Sequence, residues 1–168
     1  MVMESIYLIG FMGAGKTEVG KQLSEKLNIP VIDMDAEIVK QEEQEITEIF
    51  AQYGEAHFRT IESNILKELQ DKQAIVTTGG GVILKDENRT FLNTTGRTIF
   101  LHCEPDVIAE RLKGDTTRPL LIEKNITDIA EMYKGRLPLY KECANIVIDT
   151  TTLTIDQVVN KIVDSINE

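Results

Sequence analysis

The chain has 168 residues, 42% of them hydrophobic, and a formal charge of −10; that is enough for one domain with a full core and too short for two ordinary ones. So acidic a chain argues against nucleic acid and anionic membrane surfaces as partners, because both are held by clusters of lysine and arginine. No stretch approaches the roughly 18 apolar residues of a membrane span, and the N-terminus lacks a basic leader region, so a cytoplasmic protein is expected.

Residues 5–9 are an apolar run that reads as a buried strand, and residues 16–27 read as a helix with Val19, Leu23 and Leu27 on one side. Between them, Gly10-Phe11-Met12-Gly13-Ala14-Gly15-Lys16-Thr17 fits G-x-x-x-x-G-K-[ST], the phosphate-binding loop, in the strand–loop–helix context that it needs. Backbone N–H groups must wrap an oxygen-rich polyanion that side chains would obstruct, and the helix starting near Gly15 adds unpaired N–H groups and the positive end of its dipole. Lys16 is expected to reach the β- and γ-phosphates of a nucleotide, and the Thr17 hydroxyl to ligate Mg²⁺.

Asn28 and Pro30 break the helical pattern, and residues 31–35 read as a short buried strand ending in Asp33 and Asp35. Residues 36–53 are helical in parts, with a polar interruption over 41–45, and Gly54 ends that stretch. In residues 55–72, Phe58, Ile61, Ile65, Leu66 and Leu69 recur at spacings of three and four, predicting an amphipathic helix. A third strand over 74–78 runs into Gly79-Gly80-Gly81, a helix follows over 85–94, and a fourth strand spans 98–102. Pro105 suits the first turn of the helix that carries Arg111. Residues 113–125, with Gly114 and Pro119 and no periodicity, read as a mobile lid. Thr127 is expected to cap a helix that Pro138 interrupts, residues 144–149 form the fifth strand, and the Thr154–Gln157 spacing predicts a capping box on the last helix. Cys103 and Cys143, each beside an apolar run, read as reduced core residues rather than one bridge.

Strands and helices alternate throughout, and the strands are continuous apolar runs. The fold class is therefore α/β, a parallel sheet covered on both faces, in one domain over residues 1–168. Ligands gather at the carboxyl ends of such strands, where the phosphate loop, the two aspartates and the triple glycine all fall. Two like charges at a strand end are costly without a cation nearby, so Asp33 and Asp35 are candidates for a metal role. Arg59, Arg111, Arg118 and Arg136 are candidate anion ligands, since a planar guanidinium binds carboxylate and phosphate in a bidentate manner.

Taken in order, the phosphate loop, Asp33-Met34-Asp35, Gly54-Glu55 with Phe58-Arg59 and Glu62, Gly79-Gly80-Gly81, Arg118-Pro119-Leu120-Leu121 and Arg136-Leu137-Pro138-Leu139-Tyr140 are similar to shikimate kinase over nearly the whole chain. The resemblance implies a five-stranded sheet of order 2-3-1-4-5 and transfer of the γ-phosphoryl group of ATP to the 3-hydroxyl of shikimate. It implies ATP binding by Gly13, Ala14, Gly15, Lys16 and Thr17, with Arg111 by the adenine and Arg118 reaching the phosphates from the lid. Mg²⁺ would be held by Thr17 and, through water, by Asp33. Asp35 would bind the reacting hydroxyl and act as its base. Arg59 and Arg136 would clamp the substrate carboxylate, Gly80 and Gly81 would approach the ring, and Glu62 would position Arg59. A substrate-binding helical segment over about 36–62 and a monomeric protein complete the expectation. The loop Asp149-Thr150-Thr151-Thr152-Leu153-Thr154 lacks the arginine and proline of some relatives, and His57 receives no role. The triple glycine and the run from Arg136 to Tyr140 favour shikimate over gluconate or a nucleoside monophosphate as acceptor. A GTPase reading would need Asn-Lys-x-Asp, and Asn160-Lys161 is followed by Ile162 and Val163.

Overall fold

The strand Ile6–Ile9 (β1) is the centre of a parallel sheet in a computed structural model that describes residues 4–112 and 124–168. Around it lie β2 (Val31–Asp33), β3 (Ile75–Thr77), β4 (Arg97–His102) and β5 (Ile146–Asp149), in the order β2-β3-β1-β4-β5. Ile6 stands opposite both Ile75 and Arg97, and Asp33 opposite Thr77. All four residues of β1 are buried, so helices must cover both of its faces. The edges are wetter than the apolar runs suggested, with Val31 on β2 39% exposed and Val147 on β5 51% exposed.

The helices are α1 (Lys16–Leu27), α2 (Met34–Glu42), α3 (Ile46–Tyr53), α4 (Glu55–Glu68), α5 (Asp86–Thr94), α6 (Pro105–Leu112), α7 (Ile126–Cys143) and α8 (Ile155–Ile166). Amphipathic spacing explains most of them: α1 buries Val19 and Leu23, α4 buries Phe58, Ile65 and Leu66, and α8 buries Val158, Val159 and Ile162. The capping box at Thr154 and Gln157 is present in full. No helix among the described residues is long and apolar enough to cross a membrane. Cys103 and Cys143 are buried free thiols.

Three local expectations are corrected. The strand expected to run to Asp35 stops at Asp33, whose Oδ2 accepts from the Ala36 N–H at 3.0 Å. This aspartate caps α2, and satisfying an otherwise orphaned helix donor turns the chain out of the sheet. Asp35 therefore sits in the first turn of a helix, not on the same strand face as Asp33. The second correction concerns α7, which starts from Asn125, not Thr127; Asn125 Oδ1 accepts from the Asp128 N–H at 2.9 Å. Thirdly, α7 passes through Pro138 without ending. Proline removes one intrahelical bond, but Tyr133, Arg136, Tyr140 and Cys143 are all buried from this helix, and that packing holds it together. The glycine run leads into an unanticipated 3-10 turn over Val82–Leu84. Of the expected lid over 113–125, only Lys124 and Asn125 fall within the described residues.

Candidate active site

Between β1 and α1 the chain turns at Gly13 and Gly15, whose φ values of 80° and 94° lie in the left-handed region that glycine enters without strain. Gly15 stands at the N-cap of α1 and makes no side-chain cap bond. The helix thus presents its first N–H groups and the positive end of its dipole to the loop. The Lys16 ammonium donates to the carbonyls of Gly10 at 2.5 Å and Phe11 at 3.0 Å, which folds it over the loop. Arg111, in the last turn of α6, donates from Nη1 to the Gly13 carbonyl at 3.2 Å. Two positive charges are therefore bonded to carbonyls of the amide-lined turn.

A cleft of about 280 Å³ runs from Gly13 and Thr17 past Asp33 and Asp35 to Gly79 and Gly80. The helix cap and the neighbouring strand fix Asp33: Oδ2 accepts from Ala36, and Oδ1 accepts from the Thr77 hydroxyl at 2.7 Å. Each oxygen has one donor, so a carboxylate able to accept about four hydrogen bonds keeps capacity on both. Despite leaving the strand, Asp35 opens onto the same cleft as Asp33.

The triple glycine forms the floor of an adjoining recess. A side-chain carbon on Gly79 would stand 2.8 Å from Glu62 Oε2 and 3.2 Å from Asp35 Oδ1, and one on Gly81 would collide with the Arg59 guanidinium. At Gly80 it would lie 3.2 Å from Met12 Cγ and 3.7 Å from Arg136 Nη1. Arg59 and Arg136, from α4 and α7, are 8% and 7% exposed. Arg59 Nη1 donates to Glu62 Oε1 at 2.9 Å and Nη2 to Glu55 Oε2 at 3.1 Å, with the guanidinium 5.2 Å from the Phe58 ring centroid. The Arg136 guanidinium lies 5.5 Å from the Phe11 ring centroid, and its Nη1 is buried with no hydrogen-bond partner among the described residues. A buried cationic donor without an acceptor is costly unless an anion enters.

Burial pushes the Glu62 carboxyl above the usual carboxylate range; Arg59 opposes that rise, Asp35 adds to it, and Arg136 opposes it. The recess thus combines two guanidiniums, two acids and bare backbone, next to a loop built for phosphates. It can hold a small carboxylate with a hydroxyl close to the phosphate end of the cleft.

Lys16, Thr17, Asp33, Asp35, Gly80 and the amides of Gly13, Ala14 and Gly15 thus share one cleft, while Arg59, Arg136, Glu62 and Gly81 converge beside it. Arg118 lies outside the described residues. Sequence reasoning passed over Thr77, and it quoted Glu55 and Met12 within motifs without giving either a role of its own. The four-residue spacing of Glu55 and Arg59 on one helix was an available signal, whereas Thr77 meets Asp33 only through sheet order.

The shikimate kinase family profile matches residues 12–167. The chain belongs to the shikimate kinase family. A shikimate kinase of Bacillus cereus (strain AH187) is 46% identical over 166 residues, covering 99% of this chain and all of that protein. The structure of shikimate kinase from Acinetobacter baumannii in complex with shikimate superposes with a TM-score of 0.92 at 38% identity, covering 98% of this chain and 93% of that one. A gluconokinase from Sinorhizobium meliloti 1021, at 18% identity and a TM-score of 0.59, shares the fold alone. The chain is an enzyme, a kinase with a nucleotide-binding phosphate loop.

Proposed function

We propose that this chain transfers the γ-phosphoryl group of ATP to the 3-hydroxyl of shikimate, giving shikimate 3-phosphate and ADP. The observation that carries this reading is the buried, unpartnered Nη1 of Arg136 beside Gly80, within the recess that also holds Arg59 and opens towards Asp35. A cyclic acid fits there, and a neutral sugar would leave the buried Nη1 of Arg136 without an anionic acceptor. The A. baumannii relative whose structure holds shikimate supports the same acceptor.

Phosphoryl transfer has a loose transition state, so the protein's tasks are positioning and charge stabilisation. The amides of Gly13, Ala14 and Gly15 hold the phosphates, Lys16 contacts the transferring group, and Arg111, bonded to the Gly13 carbonyl, would lie by the adenine. Arg118 supplies a further charge to the phosphates. Thr17 and Asp33 would hold Mg²⁺, since Asp33 is fixed by Thr77 and Ala36 with acceptor capacity remaining, and the ion would supply charge neutralisation on the phosphates. Arg59 and Arg136 grip the carboxylate, Glu62 and Glu55 hold Arg59 in place, and the Gly80–Gly81 backbone meets the ring. Asp35 accepts the proton of the attacking hydroxyl. Fixing the acid at one end orients one alcohol for in-line attack.

The test mixes the protein with Mg²⁺-ATP and shikimate, follows ADP release, and identifies shikimate 3-phosphate by mass and ³¹P resonance, with gluconate and a nucleoside monophosphate as rival acceptors. Turnover with shikimate alone is expected. Turnover with a rival acceptor in its place would overturn the assignment.

A further inference from the structure

We propose that Tyr140 is a positioning residue for the acid-binding recess: by donating its hydroxyl to the Gly80 carbonyl, it holds the glycine run in register with the Arg136 guanidinium and so sets affinity for the acceptor. The inference rests on the acceptor assignment above. Tyr140 is fully buried on α7, one turn after Arg136. Its ring is stacked on Phe100 of β4, with centroids 4.9 Å apart and planes 15° from parallel, which holds the hydroxyl oxygen against the Gly80 carbonyl.

The glycine run needs such a tether. Three successive residues without Cβ leave the peptide planes of this segment free to turn at little cost. A bond to the Gly80 oxygen fixes one of those planes; because the peptide is trans, it also turns the Gly81 N–H away from Tyr140. Gly80 is then held by α7 at its carbonyl, while Arg136 Nη1 from the previous turn lies 3.7 Å from its Cβ position. Pro138 falls between these two α7 residues and removes a bond from the helix at that place. An anchor on the far side of the proline keeps the turn that carries Arg136 from drifting. Burial pushes the Tyr140 hydroxyl above the usual phenol range, with Arg136 working against that rise, so it remains a donor at any working pH.

Tyr140→Phe keeps the ring and deletes the tether to Gly80 together with the hydroxyl's contact with the Arg136 side chain. Its shikimate KM should rise about tenfold, with kcat within about threefold and the ATP KM unchanged. Tyr133→Phe is the control, since it removes a hydroxyl from the same helix that meets His102 Nδ1 at 2.8 Å and not Gly80; it should lower Tm and leave the shikimate KM within about twofold. Should Tyr140→Phe yield no folded protein, Phe100→Leu retains the hydroxyl and frees the ring, and it should raise the shikimate KM alone. An unchanged shikimate KM in the folded variant, an equal rise in both KM values, or an equal rise in Tyr133→Phe would overturn the inference. Failure of the unsubstituted chain to phosphorylate shikimate would instead remove the proposed function, and this inference with it.

Discussion

Glu62 gives one carboxylate oxygen to Arg59 Nη1 at 2.9 Å and keeps the other, Oε2, buried without a hydrogen-bond partner among the described residues. Desolvation raises its pKa above the ordinary value of 4.5, more than Arg59 lowers it. The unfolded chain therefore releases this proton first as pH rises. Glu62 contributes stability that is present in full below the unfolded value and is lost as pH passes through the native one. In Glu62→Gln that loss is absent. The Tm of the variant relative to the parent should therefore shift in the variant's favour as pH rises above the ordinary carboxylate value of 4.5, read by calorimetry across that rise. A pH-independent difference would mean that Glu62 is ionised and fully compensated.

The same cluster sets the expectation for Arg136. Truncation to alanine removes a buried charged donor that is proposed to bind the substrate carboxylate, so the shikimate KM should rise by roughly 10²-fold, with little change in the ATP KM. Lysine restores the charge without the planar fork and should recover only part of the loss. Steady-state kinetics with each substrate varied in turn decide the matter, and an unaltered shikimate KM in Arg136→Ala would exclude the clamp.

The phosphate loop could be read from eight consecutive residues because its chemistry is local, and β1, β3 and most of β4 could be read from apolar runs because the parallel sheet buries them, whereas β2 and β5 kept such runs on edges that are partly exposed. Asp35 was misplaced because one short-range bond, from the Ala36 N–H to Asp33, diverts the chain. The length of α7 was misjudged at Pro138, where buried contacts outweigh a missing hydrogen bond. Gly20 carried no signal at all, yet a Cβ there would stand 2.6 Å from Thr77 Cγ2, so it lets α1 approach the strand that holds Asp33 in place. The convergence of Arg59, Gly81 and Arg136 joins distant parts of the chain, and no local pattern encodes it; only the ordered motifs of a family pointed there.

Asp35 opens onto the phosphate cleft and lies 3.2 Å from the Cβ position of Gly79, between the phosphate loop and the recess. If it accepts the hydroxyl proton, Asp35→Asn should lower kcat by about 10²- to 10⁴-fold while leaving ATP affinity intact, because asparagine keeps the shape and loses the basic oxygen. Single-turnover measurements with calorimetric ATP binding separate the two effects. Near-normal turnover would remove Asp35 from the chemistry and leave it a ligand of the alcohol at most.

Asp33 serves two roles that substitution can separate. As the cap of α2 it accepts from Ala36 and, across the sheet, from Thr77, and as a carboxylate lining the same cleft as Thr17 it is proposed to hold water on Mg²⁺. Asparagine caps a helix about as well as aspartate but brings no charge, whereas alanine does neither. Asp33→Asn should therefore retain the parent Tm and need several-fold more Mg²⁺ for half-maximal turnover, while Asp33→Ala should show the same Mg²⁺ requirement and lose about 1 kcal/mol of stability in addition. Chelating the divalent ion should abolish turnover in all three proteins, and adding back Mg²⁺ should restore it at different concentrations. Identical Mg²⁺ titrations for parent and Asp33→Asn would confine Asp33 to its structural role.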